Sequence, residues 1–159
     1  MARRLRSVGL DFTESAPVRL VFTAEVAAPP EEVFRALAED VEGWPAWFGA
    51  VTRCRPTDGG KGREVALRGG TRFQETILTA EAPVRYAYRI DKTNAPALRA
   101  MAEDWRLTPS ATGPGTRVRW TFAVDGPAPL RFALLLARPG LGRAFRNAVR
   151  ALDRRLALV

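Results

Sequence analysis

Along most of the chain, apolar and polar positions alternate with period two, in runs of strand length divided by turn-forming residues. The first run covers residues 18–28 and stops at Pro29 and Pro30. Runs at 50–55, 63–68, 71–80, 84–91, 98–108 and 116–125 follow. Between them stand Asp58-Gly59-Gly60, Gly69-Gly70, Ala82-Pro83, Asn94-Ala95-Pro96 and Gly113-Pro114-Gly115. Short links of this chemistry predict an antiparallel meander of about seven strands. Two segments change period. After the first strand, Pro30 suits the first turn of a helix, Glu31 and Glu32 suit its positive end, and Val33, Phe34, Leu37 and Ala38 form an apolar stripe. Gly43 ends that helix, and Trp44, Trp47 and Phe48 around Pro45 predict a second short helical turn plugging one end of the core. Near the C-terminus, Leu141, Phe145, Val149, Leu152 and Leu156 recur at spacings of three and four, predicting one amphipathic helix over 141–157. Its polar side carries Arg143, Arg146, Arg150 and Arg154, and Pro139-Gly140 reads as a break from the shorter apolar stretch 130–137. The expectation is one α+β domain over 1–159, with residues 1–16 as an N-terminal arm.

Composition narrows the chemistry. The chain has no histidine, which removes His-based zinc sites, Ser-His-Asp and Cys-His nucleophiles and the usual general base near neutral pH. Proton transfer would fall to Asp, Glu, Tyr, Lys or an Arg-polarised water, with a carboxyl raised by burial if it is to act near neutrality. Cys54 is the single cysteine, which excludes an intrachain disulfide, reads as a buried structural thiol and fits a reducing cytoplasm. Arg3, Arg4 and Arg6 resemble the start of a signal peptide, yet Asp11 and Glu14 interrupt the stretch where its apolar region should follow, so export is not expected. The longest uninterrupted apolar run, 132–137, is far shorter than the ~20 residues that cross a bilayer. The net charge of +8 rests on arginine, since only Lys61 and Lys92 of the 25 basic residues are lysine. These arginines are scattered, as a GC-rich bacterial genome would leave them, and no nucleic-acid partner is expected. Four helical arginines on an anionic surface are worth roughly 4 kcal/mol, enough for transient membrane-surface contact at most. No phosphate loop, dinucleotide fingerprint or metal-ligand motif is present, so neither cofactor nor metal is expected.

The order of strand, two short helices, six strands and long helix, with PPEEVFRALAED running into WPAWFGAV and the hairpin GPGTRVRWTF before the closing helix, resembles the SRPBCC superfamily of START and birch-pollen-allergen-like helix-grip proteins. The likeness spans 18–156 and is greatest to the polyketide cyclase/dehydrase and lipid-transport branch. It implies a sheet wrapped around the C-terminal helix, with a hydrophobic small molecule, polyketide-like or lipid-like, held between them. As the alternative it implies a polyketide cyclase/dehydrase-type enzyme using cavity Glu and Tyr residues, although family members that dehydrate commonly use pocket histidine, which is missing here.

If the sheet is half buried, alternate residues of each strand face the grip. The inward sets are Phe73, Glu75 and Ile77; Val84, Tyr86, Tyr88 and Ile90; Met101, Glu103, Trp105 and Leu107; Val118, Trp120, Phe122 and Val124. Two carboxylates thus fall on apolar faces, where an unpartnered one would cost several kcal/mol or shift its pKa upward. Glu75, Glu103, Tyr86 and Tyr88 are therefore the candidate proton-handling or ligand-orienting groups. The alternative is that each Glu lies near a strand end or pairs with an arginine such as Arg68 or Arg106. Trp44, Trp47, Phe48, Phe73, Ile77, Met101, Trp105, Trp120, Phe122, Phe145 and Val149 are the candidate ligand-contacting residues, with core filling as the competing role for the tryptophans. Ala144, Ala148 and Ala151 leave room above the sheet only if they face inward. A third reading is an interaction protein that works through the basic helix.

Overall fold

The computed structural model describes residues 1–158. All strand pairings are antiparallel, in the order β2-β8-β7-β6-β5-β4-β3, with a two-residue strand β1 (Arg3–Arg4) added against β6. The seven principal strands are β2 (Val18–Val26), β3 (Val51–Thr57), β4 (Gly62–Leu67), β5 (Arg72–Glu81), β6 (Arg85–Thr93), β7 (Ala100–Pro109) and β8 (Thr116–Asp125). Their bounds lie within a few residues of the period-two runs, because turn residues fix where each run ends. Gly69 and Gly70 join β4 to β5 with φ of 88° and 93°, a left-handed backbone that glycine adopts without a Cβ clash.

The helix α2 (Pro30–Phe34) continues into a wider turn over Arg35–Glu39, and a 3₁₀ segment, Val41–Ala46, follows. Val33, Phe34 and Leu37 are buried as the stripe predicts, and Trp44 donates its indole N–H to the Leu37 carbonyl at 2.9 Å. That bond seats the aromatic cluster against one end of the sheet.

The closing helix α3 (Ala128–Ala157) is longer than expected. It starts at Ala128 rather than 141 and runs through Pro139 without a break. Phe145, Val149 and Leu152 are buried, with Leu141 and Leu156 packed at the margins of the core. Ala148 is buried and Ala144 and Ala151 half-buried, so all three small residues do face inward. Buried Gly142 brings α3 close to β2, since a Cβ there would lie 3.1 Å from the Phe22 ring.

The first residues do more than trail from the domain. β1 pairs with β6 at Arg3 and Thr93, beyond the point where the β6–β7 ladder ends. The short helix α1 (Phe12–Ser15) places Phe12 against Ala100, Ala102 and Ala123 on the outer face of the sheet. This cover explains why β7 is buried on both faces. Asp104, also buried, takes two bonds of 3.1 Å from Arg85 and one of 3.0 Å from Arg106. Val84, expected to point inward, lies just outside β6 and is exposed.

Candidate ligand-binding site

Cross-strand register writes the site. Residues directly opposite in an antiparallel pair share a face, with Cβ atoms about 5 Å apart. Arg63 on β4 stands opposite Glu75 on β5, and Tyr88 on β6 opposite Glu103 on β7. Tyr86 stands opposite Trp105, which in turn faces Trp120 on β8. A row of polar groups therefore crosses five neighbouring strands on the concave face, under α3.

Its two halves differ in character. Arg63 and Glu75 form a buried ion pair through Nε and Oε1. The Arg63 guanidinium also lies over the rings of Tyr88 and Trp44, with its carbon 4.1 and 4.3 Å from the ring centroids. Aromatic faces attract a desolvated cation and replace part of its lost hydration. Among the described residues, Nη1 of Arg63 is nevertheless buried without a hydrogen-bond acceptor. At the other half, Glu103 Oε1 accepts from the Tyr88 hydroxyl at 2.8 Å and from the Trp120 indole at 2.9 Å. The Trp105 indole donates to the Tyr88 oxygen at 3.2 Å, completing a chain of donors that ends on Glu103.

Burial raises the Glu75 pKa to about 7, partly offset by the attraction of Arg63 and reinforced by the negative charge of Glu103. Burial also raises Glu103, against the bonds from Tyr88 and Trp120 and the pull of Arg63. Desolvation pushes the Tyr86 phenol up to about 12 and Tyr88 well above its usual value. Both tyrosines are thus neutral hydrogen-bonding groups at neutral pH. Cys54 is a buried free thiol held at about 11, chiefly by desolvation, so it is no thiolate nucleophile.

Beside the polar row lies a cavity of about 380 Å³, within the range of small-molecule sites. Of the residues singled out from sequence, Trp44, Phe48, Phe73, Met101, Trp120, Phe122, Glu75, Glu103 and Tyr88 line it. Trp105 and Phe145 stack beneath Trp120 as core, at 5.5 and 5.7 Å between centroids, and Val149 is buried below the cavity wall. Trp47 packs on Trp44 and borders a separate shallow groove toward Ala148. Ile77 is half-buried, and Tyr86 lies behind Tyr88, outside the wall. Neither arginine weighed as a carboxylate partner serves: Arg68 donates to the Gly49 carbonyl and Arg106 to Asp104 and Glu14.

The sequence reading passed over Arg63. A signal was available, since Arg63 shares strand parity with the inward Val65 and Leu67. It also passed over Leu130 and Leu134, which reach the cavity from the first half of α3. Among the described residues, no three His, Cys, Asp or Glu side chains gather to hold a metal ion.

Residues 17–157 match the family described as polyketide cyclase / dehydrase and lipid transport. An uncharacterised protein of Mycobacterium tuberculosis is 37% identical over 152 residues, covering 92% of this chain and 89% of that protein. A START superfamily protein of Mycobacterium smegmatis has the same fold, with a TM-score of 0.67 at 15% identity over 88% of this chain and 97% of that one. So has the major latex-like protein 151 of Panax ginseng, with a TM-score of 0.59 at 10% identity over 82% and 97%. These likenesses extend over nearly the whole helix-grip architecture, and the chain belongs to the polyketide cyclase / dehydrase and lipid transport family.

Proposed function

We propose that the protein binds a hydrophobic small molecule in the cavity between sheet and α3, with an oxygen acceptor of that molecule bonded to Arg63. The observation that carries this reading is a largely apolar cavity whose lining includes Arg63, a buried guanidinium with one nitrogen, Nη1, left without an acceptor among the described residues. A buried donor without an acceptor costs about 1–3 kcal/mol, more when charged, and a carbonyl, hydroxyl or carboxylate on the ligand would recover it. The apolar walls supply affinity, and the polar row supplies orientation.

Native mass spectrometry of the freshly purified protein, followed by organic extraction, tests it. The expected result is a near-stoichiometric apolar compound containing oxygen. Arg63→Met should then weaken binding of that compound by roughly tenfold or more, the worth of one charge-assisted bond. An apo protein that takes up no apolar compound in titration would overturn the reading.

A second reading, a cyclase-type enzyme, is favoured by one observation: Glu75 titrates near neutrality in a chain without histidine. A carboxyl poised there exchanges a proton with substrate in either direction. Glu75→Gln separates the two readings. A carrier keeps its affinity within a few-fold, whereas an enzyme that uses Glu75 loses roughly 100-fold or more in turnover.

A further inference from the structure

The first half of α3 is apolar on two opposite sides. Leu130, Leu134 and Leu141 face the cavity. Phe132, Leu135 and Leu136 point away from it and are 65%, 55% and 67% exposed. Large apolar side chains clustered on a surface mark an interaction site. Spacings of three and four continue this outer stripe through Pro139 to Arg143, Arg146, Arg150 and Arg154, all exposed. The outward face of one continuous helix, about 45 Å long at 1.5 Å per residue, is thus apolar over its first third and basic over the rest.

We propose that this face docks the protein on an anionic lipid bilayer. The apolar third enters the interfacial region and the arginines lie along the headgroups. Charge argues for this occupant: α3 carries seven arginines and a single acid, Asp153, which is tied to the Ala27 amide at 3.0 Å. Among the described residues none of the four outward arginines has a carboxylate within 4.0 Å. A second copy of the chain laid on the stripe would bring arginine rows together at a repulsive cost. A nucleic-acid backbone would suit the arginines and leave Phe132, Leu135 and Leu136 in water. A bilayer with acidic headgroups satisfies both, and helices with an apolar side and basic residues lie in that interface. Because Leu130 and Leu134 occupy the same turns as the outer patch, docking sets the helix that roofs the cavity on the membrane surface, the position from which an apolar ligand is exchanged without crossing water.

Cosedimentation of the full chain with phosphatidylcholine vesicles, with and without phosphatidylserine, tests the inference. Binding is expected on the anionic vesicles, weakened by high salt and poor on the neutral ones. The triple variant Phe132→Ser, Leu135→Ser, Leu136→Ser should lose roughly 1000-fold in partitioning, since each side chain is worth about tenfold. The triple variant Arg143→Gln, Arg146→Gln, Arg150→Gln should lose about 100-fold on anionic vesicles, near fivefold per arginine. All six positions are exposed, and circular dichroism melting of each variant should overlie that of the parent. Parent protein that stays in the supernatant with anionic vesicles at low salt overturns the proposal. So does a serine variant that binds as well as the parent, or a parent dimer that the serine variant dissolves. None of the six residues lines the cavity, so such a failure leaves the ligand-binding reading standing.

Discussion

At the scale of single residues, Glu75 governs how the site responds to pH. Its carboxyl is raised from an ordinary 4.5 to about 7, so the folded state holds its proton more tightly than the unfolded chain. Stability from this group is complete below about pH 4.5 and is lost as pH climbs through about 7, by up to about 3 kcal/mol at 1.36 kcal/mol per unit. Urea denaturation at about pH 5 and about pH 8 should show that decline in the parent, and Glu75→Gln should flatten it. Arg63→Met should cost clearly more at the higher pH than at the lower, because loss of the guanidinium raises the buried Glu75 carboxyl further and the folded state must then take up a proton from more alkaline solution. Equal losses at both pH values would mean that Arg63 acts by packing on Trp44 and Tyr88 rather than by charge. Strand parity alone was enough to turn Glu75 and Glu103 inward. It was not enough to name their partners, because register between strands sets those, and an arginine opening a strand reads by habit as solvated.

At the scale of elements, the strands were readable where each run alternates and a Gly- or Pro-bearing link ends it. Irregularities were not. Register shifts between Gln74 and Glu75 and between Ile77 and Thr79 on β5 turn Ile77 only half inward, and a bulge leaves no clear trace in an alternating sequence. The same limit explains α3, where Pro139-Gly140 reads as a break while tertiary packing carries the helix through. A proline inside a helix removes one backbone bond and crowds the preceding turn, at about 3 kcal/mol when nothing compensates. Exposed Pro139 should therefore accept alanine, and Pro139→Ala should raise the urea midpoint by an amount equivalent to about 1–3 kcal/mol without changing helical content. A variant no more stable than the parent would show that the helix already bends enough at this point to relieve the clash.

At the scale of the whole molecule, the cavity follows from unequal closure of the grip. The helix α3 packs on β2 at one edge of the sheet, while at the other edge β3 packs on the 3₁₀ segment that carries Trp44. Between these two contacts the concave face is left without a roof apart from the inward side chains of α3, of which Ala144 is the smallest at the cavity. This arrangement could not be seen from periodicity, which gives each element its face but not the gap between faces. A bulky side chain at 144 ought to close that gap. In Ala144→Phe the ring should occupy part of the 380 Å³ and bury apolar surface against Phe48 and Leu67, leaving thermal stability equal to or above that of the unliganded parent. The same ring should cut affinity for the extracted or titrated apolar compound by tenfold or more. The stabilisation the parent gains from ligand, about 2.7 kcal/mol at a hundredfold excess over Kd, should largely vanish in the variant. Undiminished binding in a stably folded Ala144→Phe would place the ligand away from the part of the cavity that Ala144 lines. Lost binding with intact melting ties affinity to the space beneath the helix, independently of any charge in the polar row.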